Sequence, residues 1–273
     1  MQTLSTAVET KYAQLQAALR EMGRVVIGFS GGVDSTLLLR VAIDTLGTEQ
    51  VLAIIGDSES YPTRELAEAK KLAEEMGARY QVVKSKELED ERYAANPSNR
   101  CYYCKSDLFS RLVAIGKEQG FTAVLDGNNA DDVGDWRPGQ KAARELGVRS
   151  PLMEIGMTKA EVRELSRELG LRTWDKPAFA CLSSRIPYGS TITREKLTAV
   201  EQAEDFLRDL GFAQVRVRHH GEVARIEVAS QDITRLLDES LRARVVTRLR
   251  ELGFKYVALD LQGYRMGSMN EVL

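Results

Sequence analysis

The chain is poor in the residues that build disulfide frameworks and histidine-rich metal sites. Its 273 residues include 3 cysteines, 2 histidines and 2 tryptophans. Three unevenly spaced cysteines do not make the disulfide framework of a small secreted domain. We therefore expect a reducing, cytoplasmic location and a fold that depends on its buried apolar core.

Two further absences narrow the possible partners. There is no apolar run of about 18 residues, which argues against a membrane-spanning helix, and the first residues lack the basic start and apolar block of a signal peptide. The 38 basic and 40 acidic residues give a net charge of −2. Proteins that mainly grip RNA or DNA usually show a basic excess. We expect neither a membrane nor a nucleic-acid partner.

Through the first two thirds of the chain, short apolar segments alternate with amphipathic ones. This alternation predicts an α/β fold, a doubly wound parallel sheet with helices on both faces. Thr158 and Glu161 have the spacing of a helix capping box. The predicted strands are 24–30, 50–60, 79–85, 121–127 and a short fifth at 150–155, and the predicted helices are 1–23, 33–47, 62–77, 102–120 and 158–170.

The pattern changes after about residue 175. Residues 173–193 are aromatic and proline-containing with little periodicity, which is typical of a long functional loop. A helix (194–211), two alternating strands, a second helix and a final strand (255–263) follow. The sequence thus predicts an α/β domain over 1–175, an active-site linker over 176–192 and a small α+β domain over 193–273.

The stretch FSGGVDS, residues 29–35, follows the first predicted strand. Gly31 and Gly32 let backbone N–H groups approach an anion, and Ser30 and Ser35 add hydroxyl donors at a helix N-terminus. Asp34 would repel a bare phosphate, so we expect it to bind Mg²⁺ or to brace the backbone. A Walker lysine is missing. The pattern resembles the PP-loop of the ATP pyrophosphatase superfamily, which implies ATP cleaved between its α and β phosphates.

Two later segments follow predicted strands and are expected to face the same crevice. By resemblance to that superfamily, residues 54–60, including Ser58, contact adenine. In residues 125–139, Gly127 would permit close approach to the α-phosphate, and the loop carries carboxylates suited to Mg²⁺. These carboxylates are Asp131, Asp132 and Asp135. For any one of them, a solvated polar loop is an equally good interpretation.

Cys101 and Cys104 form a C-x-x-C pair, and Cys181 is distant in sequence. A zinc site would need a fourth ligand. The adjacent His219 and His220 could supply one, but nothing in the spacing requires zinc. Three thiolates suit a [4Fe-4S] cluster with one iron open to an exogenous ligand such as sulfide. The alternative is three thiols that bind nothing.

Four stretches together resemble the LarE family of ATP-dependent sulfur transferases along nearly the whole chain. They are SGGVDS, LDGNNADDVGDWRPG, CLSSRIPYG and GFAQVRVRHHGEVARIEV. The resemblance implies adenylation of a carboxylate of pyridinium-3,5-biscarboxylic acid mononucleotide and its conversion to a thiocarboxylate, for the nickel-pincer nucleotide. One subgroup sacrifices a single cysteine, and another holds a cluster on three. The C-x-x-C pair favours the cluster subgroup, with an external sulfide donor and a homo-oligomer.

The small domain offers candidates for the substrate's phosphate. Arg216 and Arg218 alternate along one strand and so share a face. The resemblance favours Ser184, Arg185, Arg216 and Arg218 together, and makes Glu204 a possible metal ligand. The alternative is a solvated strand face on which the arginines pair with Glu227.

Three other functions compete. A cluster-bearing tRNA thiolase of the same superfamily would predict a basic surface or an RNA-binding module. An amidotransferase such as NAD or GMP synthetase would need ammonia and no cysteine cluster. A non-catalytic nucleotide sensor with structural zinc would bind ATP without cleaving it.

Overall fold

The computed structural model describes residues 4–132, 138–177 and 180–265. The chain divides into two compact units, Met1–Glu87 with Asn99–Phe179, and Leu88–Ser98 with Ala180–Leu273. The second unit therefore takes in an eleven-residue segment, 88–98, from the middle of the first, whereas the sequence predicted contiguous domains. Within the described ranges no helix is long and apolar enough to cross a bilayer.

The helices and strands alternate as the sequence predicts. The helices are α1 Thr6–Met22, α2 Val33–Leu46, α3 Thr63–Glu75, α4 Glu91–Ala94, α5 Arg100–Glu118, α6 Pro138–Glu145, α7 Pro151–Glu154, α8 Lys159–Glu168, α9 Arg194–Asp209 and α10 Glu239–Glu251. The strands are β1 Val25–Gly28, β2 Val51–Asp57, β3 Arg79–Lys84, β4 Ala123–Leu125, β5 Val215–His220, β6 Val223–Val228 and β7 Tyr256–Leu259. Short 3₁₀ turns include Ala130–Asp132 and Leu182–Arg185.

The first unit is built on a four-stranded parallel sheet in the order β3-β2-β1-β4. Successive residues of a strand face opposite sides of the sheet. In β1 the residues on both sides are buried, as expected for a parallel sheet with helices on both faces. Ile27 packs in one apolar cluster with Leu38 and Leu165, and Val26 packs in another with Leu112. Helices thus cover both faces, and the predicted doubly wound α/β fold is confirmed.

The predicted fifth strand at 150–155 is wrong. Arg149 makes a single parallel bridge to Leu125, and the chain then turns into the short helix α7. Pro151 lies at the start of this helix, where its fixed φ suits a helix and its missing N–H would leave a strand without a donor. The capping box is confirmed, since Thr158 and Glu161 bond reciprocally at the start of α8.

The second unit has a three-stranded mixed sheet, with β5 and β6 antiparallel and β6 and β7 parallel. Apolar residues of α9, α10 and the sheet form its core. The segment 88–98 belongs here because Asn96 donates from Nδ2 to the carbonyl oxygens of Pro187 (2.7 Å) and Ser190 (3.0 Å). The Tyr93 hydroxyl lies 2.6 Å from the Ser183 hydroxyl. These bonds attach segment 88–98 to the part of the long loop (173–193) that contains Ser183, Pro187 and Ser190.

Candidate active site

The glycine-rich turn joins β1 to α2 and has a conformation that its sequence requires. Gly31 has a φ of +62°, and a Cβ there would lie 3.1 Å from Ala69. Both the left-handed backbone and the close neighbour favour glycine. Gly32 precedes α2 as its N-cap in an extended conformation. The turn therefore presents the N-terminus of α2 at the carboxyl edge of the sheet, where doubly wound folds bind ligands.

Two hydroxyls sit at this helix start. Ser30 Oγ and Ser35 Oγ are 3.2 Å apart, and the Ser30 N–H donates to Ser35 Oγ (3.3 Å). Ser35 Oγ also donates to the Gly32 carbonyl oxygen (3.3 Å). Backbone N–H groups, hydroxyls and the positive end of a helix together make an anion-binding position.

Two side chains that the sequence did not single out hold the turn from behind. The Tyr61 hydroxyl donates to the Ser30 carbonyl oxygen (2.8 Å), and Lys176 Nζ donates to the Gly31 carbonyl oxygen (3.2 Å). In a trans peptide the C=O and the following N–H point in opposite directions. The N–H groups of Gly31 and Gly32 are therefore turned away from Tyr61 and Lys176. Burial and the charge of Glu65 raise the pKa of Tyr61, which keeps it a donor.

Asp34 is engaged by two side chains from later in the chain. Lys159 Nζ lies 2.5 Å from Asp34 Oδ2, and Asn129 Nδ2 donates to Asp34 Oδ1 (3.1 Å). The sequence predicted a magnesium ligand or a backbone brace. In the structure the Asp34 carboxylate is paired with a cation.

The loop after β4 approaches the start of α2 closely. A Cβ on Gly127 would lie 2.9 Å from the Ser35 backbone nitrogen. Asp126 accepts from the Ser150 hydroxyl (2.6 Å) and from the Asn128 N–H (3.1 Å). Burial raises the pKa of Asp126, and these bonds oppose that shift. The loop thus contacts the glycine-rich turn of residues 29–35, called the phosphate turn below, through its backbone. The close approach of Gly127 to a phosphate stays a prediction.

Replacing Gly127 by alanine is expected to distort the turn. The added methyl meets backbone rather than a movable side chain, so we expect a loss of about 1–3 kcal/mol in the free energy of unfolding and weaker ATP binding. Urea unfolding and ATP titration measure both. Gly116→Ala is the matched control, since its Cβ would meet side chains at an ordinary 3.5 Å. Equal effects of the two substitutions would contradict this account.

The three loop acids differ in their surroundings. Asp131 is exposed, and its Oδ2 accepts the Lys159 N–H (2.9 Å). Asp132 is buried, and its Oδ2 accepts the Asn129 N–H (3.0 Å). Asp135 lies outside the described residues. Their magnesium role stays a prediction, as does the adenine contact of Ser58, whose hydroxyl lies 3.2 Å from that of Ser60.

The cysteines fall in different units. Cys101 (exposed) and Cys104 (half-buried) lie one turn apart at the start of α5, and Cys181 (half-buried) precedes the 3₁₀ turn of the second unit. All three lie in the described ranges and none forms a disulfide. In those ranges no three His, Cys, Asp or Glu side chains are already grouped as a metal site. Shared cluster ligation by the three thiols stays a prediction.

A buried arginine–glutamate cluster dominates the second unit. The side chains of Arg185 and Glu204 are both 0% exposed and bond twice, Nε to Oε1 (2.8 Å) and a terminal nitrogen to Oε2 (3.0 Å). Arg208 and the Val217 N–H also donate to Glu204. The predicted metal ligand thus has arginine and backbone partners in this structure, and its metal role stays a prediction.

The two strand arginines are buried rather than solvated. Arg218 bonds Glu227 twice (2.9 and 2.7 Å) and donates to the Ser184 carbonyl oxygen (2.9 Å). Arg216 lies over the Tyr264 ring, and burial and the charge of Arg185 lower its pKa. Among the buried charged side chains described for the second unit, three arginines accompany two glutamates, which leaves an excess of positive charge.

Arg185 also positions the turn that carries Cys181. One of its terminal nitrogens donates to the carbonyl oxygens of Ala180 (2.6 Å) and Cys181 (2.8 Å). The Ser184 hydroxyl donates to the same Cys181 oxygen (2.8 Å). A charged, fully buried anchor thus fixes the backbone beside the third cysteine.

The parallel sheet and the serine–glycine turn at the end of β1 define an α/β nucleotide-binding protein of the PP-loop class. Residues 7–101 match the NAD synthase family. The chain is 45% identical to the pyridinium-3,5-bisthiocarboxylic acid mononucleotide synthase of Lactiplantibacillus plantarum, over 97% of this chain and 95% of that protein. It belongs to the LarE family of ATP-dependent sulfur transferases.

Two further relatives are uncharacterized proteins. The chain is 45% identical to slr1717 of Synechocystis, over 97% of this chain and 99% of that protein. It is 28% identical to MJ0830 of Methanocaldococcus jannaschii, over 89% of this chain and 91% of that protein.

Proposed function

We propose that this chain uses ATP to adenylate a carboxylate of pyridinium-3,5-biscarboxylic acid mononucleotide and converts it to a thiocarboxylate, a step toward the nickel-pincer nucleotide. The observation that carries the proposal is the match, over nearly both full lengths, to a synthase of the corresponding bisthiocarboxylic acid. The phosphate turn of the first unit supplies the position for ATP.

Adenylation solves a problem of leaving groups. A carboxylate repels sulfide and would have to expel oxide, whereas an acyl adenylate expels AMP. Ser30, Ser35 and the N–H groups of Gly31 and Gly32 would hold the departing pyrophosphate, and fixed donors stabilise charge without reorganising. Mg²⁺, held by Asp131, Asp135 or Asp34, would add charge stabilisation on the phosphate oxygens.

The cysteines fit the donor set of an iron–sulfur cluster. Cys101 and Cys104 are neighbours on one helical face, as residues three apart are, and all three cysteines are thiols with at least partial exposure. We propose that Cys101, Cys104 and Cys181 hold a [4Fe-4S] cluster. When bound, such a cluster supplies an iron position at which sulfide can reside. Arg185 and Ser184 would fix the backbone of the third ligand.

The buried positive charge of the second unit suits an anionic group of the substrate. Three buried arginines with two buried glutamates leave one positive charge of this unit without a buried counterpart, and burying an uncompensated charge is costly. A phosphate would supply that counterpart. We therefore propose that Ser184, Arg185, Arg216 and Arg218 recognise the mononucleotide phosphate. Arg216 is the candidate for direct contact, because Arg185 and Arg218 each already bond a glutamate twice.

The remaining parts of the proposal concern context. Sulfide would come from a donor outside this chain, and the enzyme would work in the cytoplasm as a homo-oligomer without nucleic acid.

The test is an anaerobic reaction of the full chain with Mg-ATP, sulfide and pyridinium-3,5-biscarboxylic acid mononucleotide. We expect AMP, pyrophosphate and a thiocarboxylate product, detected by chromatography and mass spectrometry. Omitting sulfide should still give pyrophosphate and a trapped acyl adenylate. If the chain releases pyrophosphate in the presence of tRNA and leaves the pyridinium substrate unreacted, it belongs with the tRNA thiolases instead.

A further inference from the structure

Two of the places where the chain passes from one unit to the other lie directly before a cysteine. The first unit resumes at Asn99, two residues before Cys101, and the second unit resumes at Ala180, one residue before Cys181. Segment 88–98, which belongs to the second unit, therefore ends just ahead of the C-x-x-C pair. The placement of these thiols depends on how that segment is held.

Asn96 lies in this segment and has an unusual backbone conformation. It is the one non-glycine residue with a positive φ, at +56°, in the described part of the chain. Asparagine adopts the left-handed region more readily than most residues, although the conformation still costs free energy. The Asn96 side chain is also fully buried. A costly conformation at a buried residue points to a requirement for that side chain.

The Asn96 amide binds the loop that follows the third cysteine. Its Nδ2 donates to three carbonyl oxygens, those of Pro187 (2.7 Å), Ser190 (3.0 Å) and Ile186 (3.2 Å). The Asn96 carbonyl oxygen in turn accepts the Gly189 N–H (2.9 Å). Only a donor suits this position, because the side-chain nitrogen faces three acceptors. An aspartate would have the same size but could only accept hydrogen bonds when ionised.

Tyr93 makes a second attachment, closer to the thiol. Its buried ring places the hydroxyl 2.6 Å from the hydroxyl of Ser183, which is two residues after Cys181. In the other direction, four residues separate Asn96 from Cys101. One short segment thus connects the Cys181 turn to the helix of the C-x-x-C pair, and a short connection limits how far apart its ends can move.

We propose that Asn96 is a positioning residue that keeps Cys181 within reach of Cys101 and Cys104. This rests on the proposed function, in which the three thiols share one cluster. Asn96 touches no reacting group and acts through the backbone on either side of it. A fixed, short connection raises the effective concentration of one thiol near the others, and loosening the connection lowers it.

The first test measures thiol proximity in the metal-free full chain. In a Cys101→Ser background, the remaining thiols are those of Cys104 and Cys181, and diamide can oxidise them to one intramolecular disulfide. Peptide mass spectrometry follows its rate of formation. We expect Asn96→Asp, which keeps the size, and Asn96→Gly, which keeps the backbone conformation, to slow this rate about tenfold or more. Tyr93→Phe, which loses only the hydroxyl contact, should give a smaller decrease.

The second test measures iron per chain after anaerobic reconstitution of the three-cysteine protein. Iron should fall in both Asn96 variants, because a cluster loses its third ligand when Cys181 is no longer held near the pair. The matched control is Val245→Ala in the core of the second unit, where Val245 is buried. This substitution should lower the stability of the unit through a cavity and leave both the disulfide rate and the iron content unchanged.

Three results would overturn the assignment. Equal effects of Asn96→Asp and Val245→Ala would show that lost stability is the cause. An unchanged disulfide rate in both Asn96 variants would show that the amide does not place the thiol. Failure of the Cys101→Ser chain to form the disulfide with Asn96 intact would show that the thiols are not within reach. If wild type binds no iron, while the disulfide rate still falls in the Asn96 variants alone, the cluster proposal fails and the positioning role stands.

Discussion

Replacing Cys104 by alanine is expected to abolish repeated sulfur transfer while leaving adenylation intact. Two thiolates hold an open-iron cluster poorly, so bound iron should fall from about four atoms per chain to well below one. Pyrophosphate formation depends on the phosphate turn between β1 and α2, which does not include α5, and should stay within about twofold of wild type. The measurements are iron and sulfide analysis after anaerobic purification, with product counted per chain.

The control for Cys104 is Ser110→Ala, an exposed position on the same helix, which should keep both iron and turnover. A different outcome would contradict the proposed cluster. If wild type contains no iron and Cys181 loses the mass of H₂S during the reaction, the enzyme is sacrificial. The cluster role of the C-x-x-C pair would then be wrong.

Replacing Glu204 by glutamine is expected to destabilise the second unit severely. Glutamine keeps the size of the side chain but leaves Arg185 buried without its counter-charge. Breaking a buried ion pair from one side costs about 3–5 kcal/mol. Urea unfolding should show a lower midpoint with an unchanged slope. Glu251→Gln is the matched control, because its 3.0 Å pair with Arg248 is exposed and should cost less than about 1 kcal/mol.

The Glu204 carboxylate also makes the free energy of unfolding depend on pH. Burial alone would raise the pKa of Glu204, but the charges of Arg185, Arg216 and Arg208 and the bonds from Arg185 hold it below its ordinary 4.5. A lowered folded-state pKa means that the unfolded chain takes up the proton first as pH falls. The stabilisation that the ionised Glu204 adds to the folded state is complete above about pH 4.5. It is lost as the pH falls through the pKa of Glu204 in the folded state. Glu204→Gln should remove this part of the acid slope. An unchanged slope would show that other groups cause it.

Local patterns were enough to predict most of the first unit. The continuous apolar run of β1, the positive φ at Gly31 and the capping box at Thr158 depend on residues within a few positions of each other. The short segment 150–155 misled because an apolar run of that length fits either a strand or a helix turn. Pro151 decided between them through its backbone geometry.

The sequence by itself determined the alternating α/β framework, the phosphate turn and the identity of the thiols, since each follows from chain-local stereochemistry or from residue type. Only the tertiary structure decided that Lys159 pairs with Asp34, that Lys176 and Tyr61 hold the carbonyls of the turn, and that segment 88–98 joins the second unit. It also buried Arg185 against Glu204. The partner of a charged side chain depends on which distant surfaces the core brings together, and no local periodicity encodes that.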